Sequence, residues 1–107
     1  MNTNSKQKGN RAERELLEIL RPWGAERHDQ RYIGGKGNPD IGAVIAGHPC
    51  HVEVKRVERL NVHAAYQQAQ RDAENAVPMV CHRRSREPWL VTMELGDLLT
   101  MIGGEKQ

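Results

Sequence analysis

The sequence predicts an α/β fold in which a mixed β-sheet is flanked by helices. Apolar residues recur at helical spacing near both ends of the chain and in its middle, and short apolar runs bounded by turn residues lie between them. The predicted order is helix, strand, β-hairpin, helix, strand, strand and helix, which a single sheet covered by helices accommodates. We expect residues 1–107 to form a single domain with a flexible start at residues 1–7, because this length suits one modest core.

The first helix is predicted over residues 10–21, where Pro22 and Gly24 help to end it. Its apolar positions share one stripe, which comprises Ala12, Leu16, Ile19, Leu20 and Trp23, with Leu17 at the edge. Glu13 is the one acid of this helix that falls between apolar positions. Its carboxylate therefore either faces the interior or reaches back to water, and periodicity alone does not decide between the two.

A short edge strand is predicted over residues 25–31, followed by a glycine-rich loop over residues 31–38. The loop contains Lys36 and could contact phosphate, but it matches neither of the complete nucleotide-binding glycine patterns. We therefore expect no nucleotide cofactor. The hairpin follows, with apolar runs at residues 41–46 and 50–54 on either side of a turn at Gly47-His48-Pro49.

The predicted hairpin carries charged residues inside apolar strands. Strand residues two apart share a face, so Glu53 and Lys55 point the same way. An even-length loop centred on Gly47 and His48 would pair Asp40 with Lys55 and Gly42 with Glu53, and would put Asp40, Glu53 and Lys55 on one face. A loop of odd length without a bulge would separate them, since a slip of one residue reverses every side chain.

The second half of the chain completes the sheet. A helix is predicted over residues 61–75 with Asn61 as its N-cap, strands over residues 77–82 and 89–93, and a last helix over residues 95–102. The buried stripe of the middle helix comprises Val62, Ala65, Tyr66, Ala69, Ala73 and Ala76. Trp23 and Trp89 are expected in the core rather than as platforms for base stacking.

Composition restricts the class of protein. The formal net charge is only +2, although basic residues cluster at residues 6–14 and 83–86. No apolar run is long enough to span a membrane and no signal peptide precedes the fold, so we expect a soluble cytoplasmic protein. The two cysteines, Cys50 and Cys81, are expected to be buried and reduced. The histidines have no zinc-site spacing; His51 shares the face of Glu53 and could line the edge of a pocket there.

Asp40, Glu53 and Lys55 are the residue types that metal-dependent phosphodiester hydrolysis needs. Magnesium prefers hard oxygen ligands such as carboxylates, and a bound metal polarises the phosphate and acidifies a water molecule. A lysine beside the carboxylates can orient that water or stabilise the charge that grows on the phosphate. Glu13 would complete this set if it faces the interior.

Two segments resemble a known nuclease superfamily. Pro39-Asp40 followed by Glu53-Val54-Lys55 resembles the signature of PD-(D/E)xK nucleases, and KGNRAEREL at residues 8–16 resembles the first helix of archaeal Holliday-junction resolvases and small phage or VRR-NUC-type nucleases. The resemblance implies a restriction-endonuclease-like fold of order αβββαββα. It also implies that Asp40, Glu53, the backbone carbonyl of Val54 and Glu13, directly or through water, bind the metal, and that Lys55 assists catalysis.

The predicted function is that of a Mg²⁺-dependent, structure-selective DNA endonuclease similar to these resolvases, in which Mn²⁺ can substitute. The resemblance implies a homodimer acting on branched or duplex DNA, in a cellular or phage-infected cytoplasm, with products that carry a 5′-phosphate. A nicking, flap or general endonuclease, a non-catalytic DNA-binding subunit of the same fold, and a purely structural domain remain alternatives. Candidate DNA contacts are Lys8, Arg11, Arg14, Lys36, Arg56, Gln67, Arg83 and Arg84.

Overall fold

Five strands form one mixed sheet in which neighbours in the chain are also neighbours in the sheet. The computed structural model describes residues 5–27 and 40–103, with side chains for residues 10–27 and 40–103. The elements are α1 (Ser5–Leu20), a 3₁₀ turn (Arg21–Trp23), β1 (Glu26–Arg27), β2 (Asp40–Ile45), β3 (His48–Arg56), α2 (Val62–Ala73), β4 (Val77–Arg83), β5 (Leu90–Thr92) and α3 (Leu95–Met101). Neighbouring strands are antiparallel except β3 and β4, which are parallel. The predicted fold class and order of elements are confirmed.

Local sequence signals explain where the helices end. Gly24 adopts φ 69, and its N–H donates to the carbonyl oxygen of Arg21, which closes the turn after α1. The side chain of Asn61 accepts a hydrogen bond from the N–H of Ala64 at 3.0 Å, so Asn61 is the N-cap of α2 as predicted. The start of α1 was predicted too late, because the helix begins at Ser5 rather than at residue 10. The glycine-rich loop lies outside the described residues.

The β2–β3 turn is even in length, as predicted, but its predicted centre was wrong. Ala46 and Gly47 form a two-residue turn between Ile45 and His48, and both have positive φ, 54° and 81°. This is the geometry of the hairpin turns whose twist matches the flanking strands. A residue before proline is held extended, so His48, which precedes Pro49, joins the strand instead of the turn.

The change of turn moves the strand register by two residues. Asp40 pairs with Glu53, not with Lys55, and Gly42 pairs with His51, not with Glu53. A shift of two keeps every side chain on its predicted face, whereas a shift of one would have reversed them. Asp40, Glu53 and Lys55 therefore share one face of the sheet, as the even loop predicted.

Replacing Ala46 with asparagine is expected to stabilise the protein. A left-handed alanine costs roughly 1–2 kcal/mol, and asparagine lowers this cost because its short polar side chain can hydrogen-bond locally. Asparagine before glycine is also the preferred pair in such turns. Urea unfolding should show a rise of about 1 kcal/mol in the free energy of unfolding. The matched control, Ala43→Asn, changes a buried strand residue and should lower it; an unstable Ala46→Asn variant would contradict the turn geometry.

Side chains alternate between two apolar layers on the sheet. The layer beneath α1 joins Ala12 and Leu16 to Ile41, Val52, Val54, Met79 and Cys81 from the strands, and to Met101 from α3. The opposite layer, beneath α2, joins Ala65 and Ala69 to Val80. Val80 pairs with Glu53 across β3 and β4, so Glu53 points toward α2 while Val52 and Val54 point toward α1. The acidic residues of the hairpin therefore lie between the sheet and α2.

Two predicted core positions on the first helix were wrong. Ile19 is 47% exposed and Trp23 is 45% exposed, although both continue the apolar stripe. The buried part of the stripe is limited to Ala12 and Leu16, and Leu17 and Leu20 pack at its margin, so the apolar layer covers a narrower face of the helix than the stripe predicts. Trp89 packs against that layer as predicted.

The cysteines are free and buried, as predicted. Burial raises the pKa of the Cys81 thiol to about 12, and burial also raises the pKa of Cys50. Both thiols are thus held in the neutral, poorly reactive form. No helix in the described part of the chain is long and apolar enough to cross a membrane.

Candidate metal centre

Four side chains that can ligate a metal converge between the sheet and α2. They are Asp40 from β2, His51 and Glu53 from β3, and Asp72 from α2, and one ligand atom from each lies within 4.8 Å of the others. Strand pairing accounts for the first three, because Asp40 is opposite Glu53 and His51 precedes Glu53 by two residues on the same face. The three strand residues are buried and Asp72 is half-buried.

His51 lies between the two strand carboxylates. Its Nε2 is 2.9 Å from Glu53 Oε2 and 3.6 Å from Asp40 Oδ2. Burial by itself lowers the pKa of His51, but the hydrogen bond to Glu53 and the negative charges of Glu53, Asp40 and Asp72 together raise it above its ordinary value. The carboxylates thus create a site that favours positive charge. The sequence had placed His51 on this face but in no metal site, and the structure makes it a member of the group.

Glu53 provides an independent sign that the site fits a cation. The residue is 0% exposed, and its Oε2 bonds to His51. Its other oxygen, Oε1, is buried, and none of the described residues donates a hydrogen bond to it. A buried acceptor without a partner costs about 1–3 kcal/mol, and more for a charged group. A divalent cation would satisfy this oxygen, so the residues present fit the metal that the nuclease resemblance implies.

Lys55 follows Glu53 by two residues on the same face, and it is half-buried. Its Nζ donates a hydrogen bond to Gln68 Oε1 of α2 at 3.3 Å. The structure therefore places an ammonium group next along the strand from the carboxylates and attaches it to the helix that covers them. The backbone of Val54 lies between Glu53 and Lys55, while the Val54 side chain packs in the α1 layer.

Glu13 is buried, in agreement with the interior alternative. It is 5% exposed, and its Oε2 accepts a hydrogen bond from Arg27 Nε at 2.7 Å. It is not one of the four residues that converge beneath α2. Its helix, α1, packs on the opposite layer of the sheet. The structure thus pairs Glu13 with a cation from β1, and its role as a metal ligand stays a prediction.

Comparisons with known proteins were made on sequence and on structure. No protein-family model and no curated protein matches the sequence. The structure is similar to that of Hjc from Archaeoglobus fulgidus, a Holliday junction resolvase from an archaeal hyperthermophile, with a TM-score of 0.56 and 26% sequence identity. The match covers 79% of this chain and 76% of the archaeal chain.

The chain has a resolvase fold of the PD-(D/E)xK type. The resemblance inferred from the two sequence segments is confirmed, and so is the restriction-endonuclease-like class of the sheet. On this resolvase fold the acidic residues lie at the pairing of β2 with β3, and α2 covers them.

Four of the eight predicted DNA contacts are exposed residues of the structure. Arg11, Arg14, Arg84 and Gln67 are exposed, and Arg56 is half-buried. The side chains of Lys8 and Lys36 lie outside the described part of the structure. Each of these contacts stays a prediction.

Arg83 has partners within the chain. Its Nη1 lies 3.1 Å from both carboxylate oxygens of Glu15, and its guanidinium lies 5.7 Å from the centre of the Trp89 ring. Together with Arg11 and Arg56 it lines a cleft beside α1. Three of the basic residues predicted to contact DNA therefore line the same cleft.

Sequence reasoning missed two residues on α2. Asp72 belongs to the acidic group and Gln68 bonds to Lys55, whereas the glutamine chosen from the sequence, Gln67, is exposed. A signal was present, because Gln68 and Asp72 lie three residues after Ala65 and Ala69 and so border the same helix face. Polar residues that border a buried stripe beside a charged strand are candidates for a site.

Proposed function

We propose that this protein is a divalent-metal-dependent DNA endonuclease of the resolvase type, which cuts branched DNA. The observation that carries the proposal is the pair of buried carboxylates, Asp40 and Glu53, directly opposite each other with Lys55 next on the same face. The similarity to a Holliday junction resolvase supports the choice of branched DNA as substrate. Mg²⁺ is the proposed cofactor, and Mn²⁺ is proposed to substitute.

Each residue of the site has a chemical role in this proposal. Asp40 and Glu53 hold the metal, with the Val54 carbonyl and Glu13 as further ligands, Glu13 directly or through water. When bound, the metal supplies charge that polarises the scissile phosphate and acidifies a water molecule. Lys55 orients that water or stabilises the charge that develops on the phosphate oxygens. Gln68 positions Lys55 by accepting its hydrogen bond.

Basic residues are proposed to hold the DNA, and exposed apolar residues to form a dimer interface. The DNA backbone is positioned by the predicted contact residues, which are Lys8, Arg11, Arg14, Lys36, Arg56, Gln67, Arg83 and Arg84.

We propose a homodimer, whose two-fold axis would present two sites to symmetric strands. Large exposed aliphatic residues on β5 and α3 are candidates for such an interface; they are Leu90, Val91, Leu95, Leu98, Leu99 and Ile102. The buried free thiols suit a cytoplasmic setting.

One observation favours a second candidate, a DNA-binding subunit without catalysis. His51 already bonds to Glu53 and lies near Asp40, so its imidazolium would offset one of the carboxylate charges with no metal present. Such a protein would bind DNA in the presence or absence of metal and would not cut it.

A panel of DNA substrates tests the proposed function. A four-way junction, a flap and a linear duplex of matched length and sequence are incubated with the protein in Mg²⁺ or Mn²⁺, and binding is measured in parallel without metal. Paired symmetric cuts in the junction alone are expected. Equal cutting of all three substrates would instead indicate a general endonuclease, and metal-independent binding without cutting would indicate the binding subunit.

A further inference from the structure

His51 and Asp72 are the members of the metal centre that the proposed reaction does not use. His51 is 3% exposed, and its Nε2 lies within hydrogen-bond distance of Glu53 Oε2. Asp72 reaches the same point from the opposite side, because α2 carries it over the sheet. Three carboxylates and an imidazole lie close together here, with only Asp72 partly open to water, and the arrangement is unfavourable unless a cation offsets the negative charge.

The spacing of the ligand atoms suits a single ion. Ligands held octahedrally at about 2.1 Å lie about 3.0 Å apart when adjacent and about 4.2 Å apart when opposite. The four ligand atoms all lie within 4.8 Å of one another, and His51 Nε2 is 2.9 Å and 3.6 Å from its two carboxylate neighbours. All four residues can therefore reach one ion after small side-chain movements.

The buried oxygen of Glu53 points to the same conclusion independently. Oε1 has no hydrogen-bond donor among the described residues, while Oε2 is taken by His51. The partner of Oε1 must be positively charged or a hydrogen-bond donor, and its neighbours are Asp40, His51 and Asp72. A metal ion would satisfy Oε1 and offset the charge of these carboxylates as well.

The chemistry of the ligands decides which metals suit the site. Mg²⁺ prefers oxygen ligands and retains several bound water molecules, whereas an imidazole nitrogen ligand favours first-row transition metals. We propose that this centre binds first-row transition-metal ions more tightly than Mg²⁺. Metal binding releases to solvent the proton that His51 Nε2 donates to Glu53, and Nε2 then serves as a nitrogen ligand. Asp72 serves as a third carboxylate beside Asp40 and Glu53. The inference rests on the metal centre of the proposed function, but not on whether DNA is cut.

Mn²⁺ is the probe for this inference, because its unpaired electrons report on the atoms bound to it. The intact protein without DNA should bind one Mn²⁺ per chain, with a nitrogen hyperfine coupling in pulsed electron paramagnetic resonance. Competition should show Mn²⁺ binding at least about tenfold more tightly than Mg²⁺. The His51→Asn variant should lose the coupling and most of this preference, and Asp72→Asn should weaken Mn²⁺ binding by at least about tenfold.

His63→Asn is the matched control, because His63 is an exposed residue of α2 outside the group; it should keep both the coupling and the preference. Bound Mn²⁺ without nitrogen coupling, coupling that persists in His51→Asn, or no Mn²⁺ binding would overturn the inference. The wild-type spectrum decides the matter even if a variant fails to fold.

The outcomes separate this inference from the proposed function. Nitrogen-coupled Mn²⁺ in a protein that cuts no DNA would uphold the inference and contradict the nuclease proposal. Metal-dependent cutting with no nitrogen coupling would uphold the nuclease proposal and overturn the inference.

Discussion

Replacing Glu53 with glutamine is expected to lower metal-dependent DNA cleavage by about a thousandfold or more, since a metal contributes several kcal/mol to such a reaction. The two side chains have nearly the same shape, and Glu53 is fully buried, so the change removes charge and little volume. The apo protein should stay folded, because the variant relieves repulsion among the carboxylates of Asp40, Glu53 and Asp72. Asp40→Asn should behave in the same way.

Single-turnover cleavage at saturating DNA measures this effect, and circular dichroism with urea unfolding checks the fold. Glu18→Gln is the matched control, because Glu18 is exposed and pairs with Arg21 at the start of the 3₁₀ turn. Exposed pairs of this kind contribute little, so both rate and stability should be unchanged in that variant. A folded Glu53→Gln protein that cuts at the wild-type rate would show that the carboxylate pair is not the active site.

Replacing Lys55 with methionine is expected to lower cleavage by about a hundredfold or more, the usual effect of losing one group that stabilises transition-state charge. Methionine keeps the apolar part of the side chain but lacks the ammonium that bonds to Gln68. Metal affinity should be unchanged or higher, because a positive charge near the carboxylates has been removed. A loss of rate without a loss of metal binding would distinguish Lys55 from a ligand.

Titration with Mn²⁺ measures the metal affinity of the variant, and single-turnover assays measure its cleavage rate. Arg71→Met is the control for removing a cation, since Arg71 is an exposed residue of α2. If Lys55→Met and Arg71→Met reduce the cleavage rate equally, the loss reflects a weaker overall attraction between the protein and DNA. In that case the assignment of Lys55 to the reaction would be wrong.

The face of each hairpin residue was predictable, but the strand register was not. Alternation in a strand depends only on parity, so Asp40, Glu53 and Lys55 were placed together correctly from the sequence. The pairing of Asp40 with Glu53 depends on which two residues form the turn. That choice followed from the extended conformation of His48 before Pro49, a local restriction that apolar periodicity does not express.

The site residues of the β2–β3 hairpin were predictable from the sequence, whereas those that join the site through packing were not. Gln68 and Asp72 belong to it only because α2 crosses the face that carries Glu53, and helix spacing cannot state which sheet residues a helix covers. For the same reason Trp23 looked like a core residue and is exposed. Periodicity left open whether Glu13 faces the interior or water, and packing decides this, because Glu13 is buried and accepts a hydrogen bond from Arg27 of β1.

Metal-dependent strand cleavage by the wild-type protein is the most direct test of the central proposal. A four-way junction labelled on each strand in turn is incubated with the protein in excess EDTA, and Mg²⁺ or Mn²⁺ is then restored. We predict no product in EDTA, cleavage once metal is added, and nicks that DNA ligase reseals because they carry a 5′-phosphate. Cleavage that continues in EDTA, or a bound junction that stays intact with every divalent metal, would contradict the proposal.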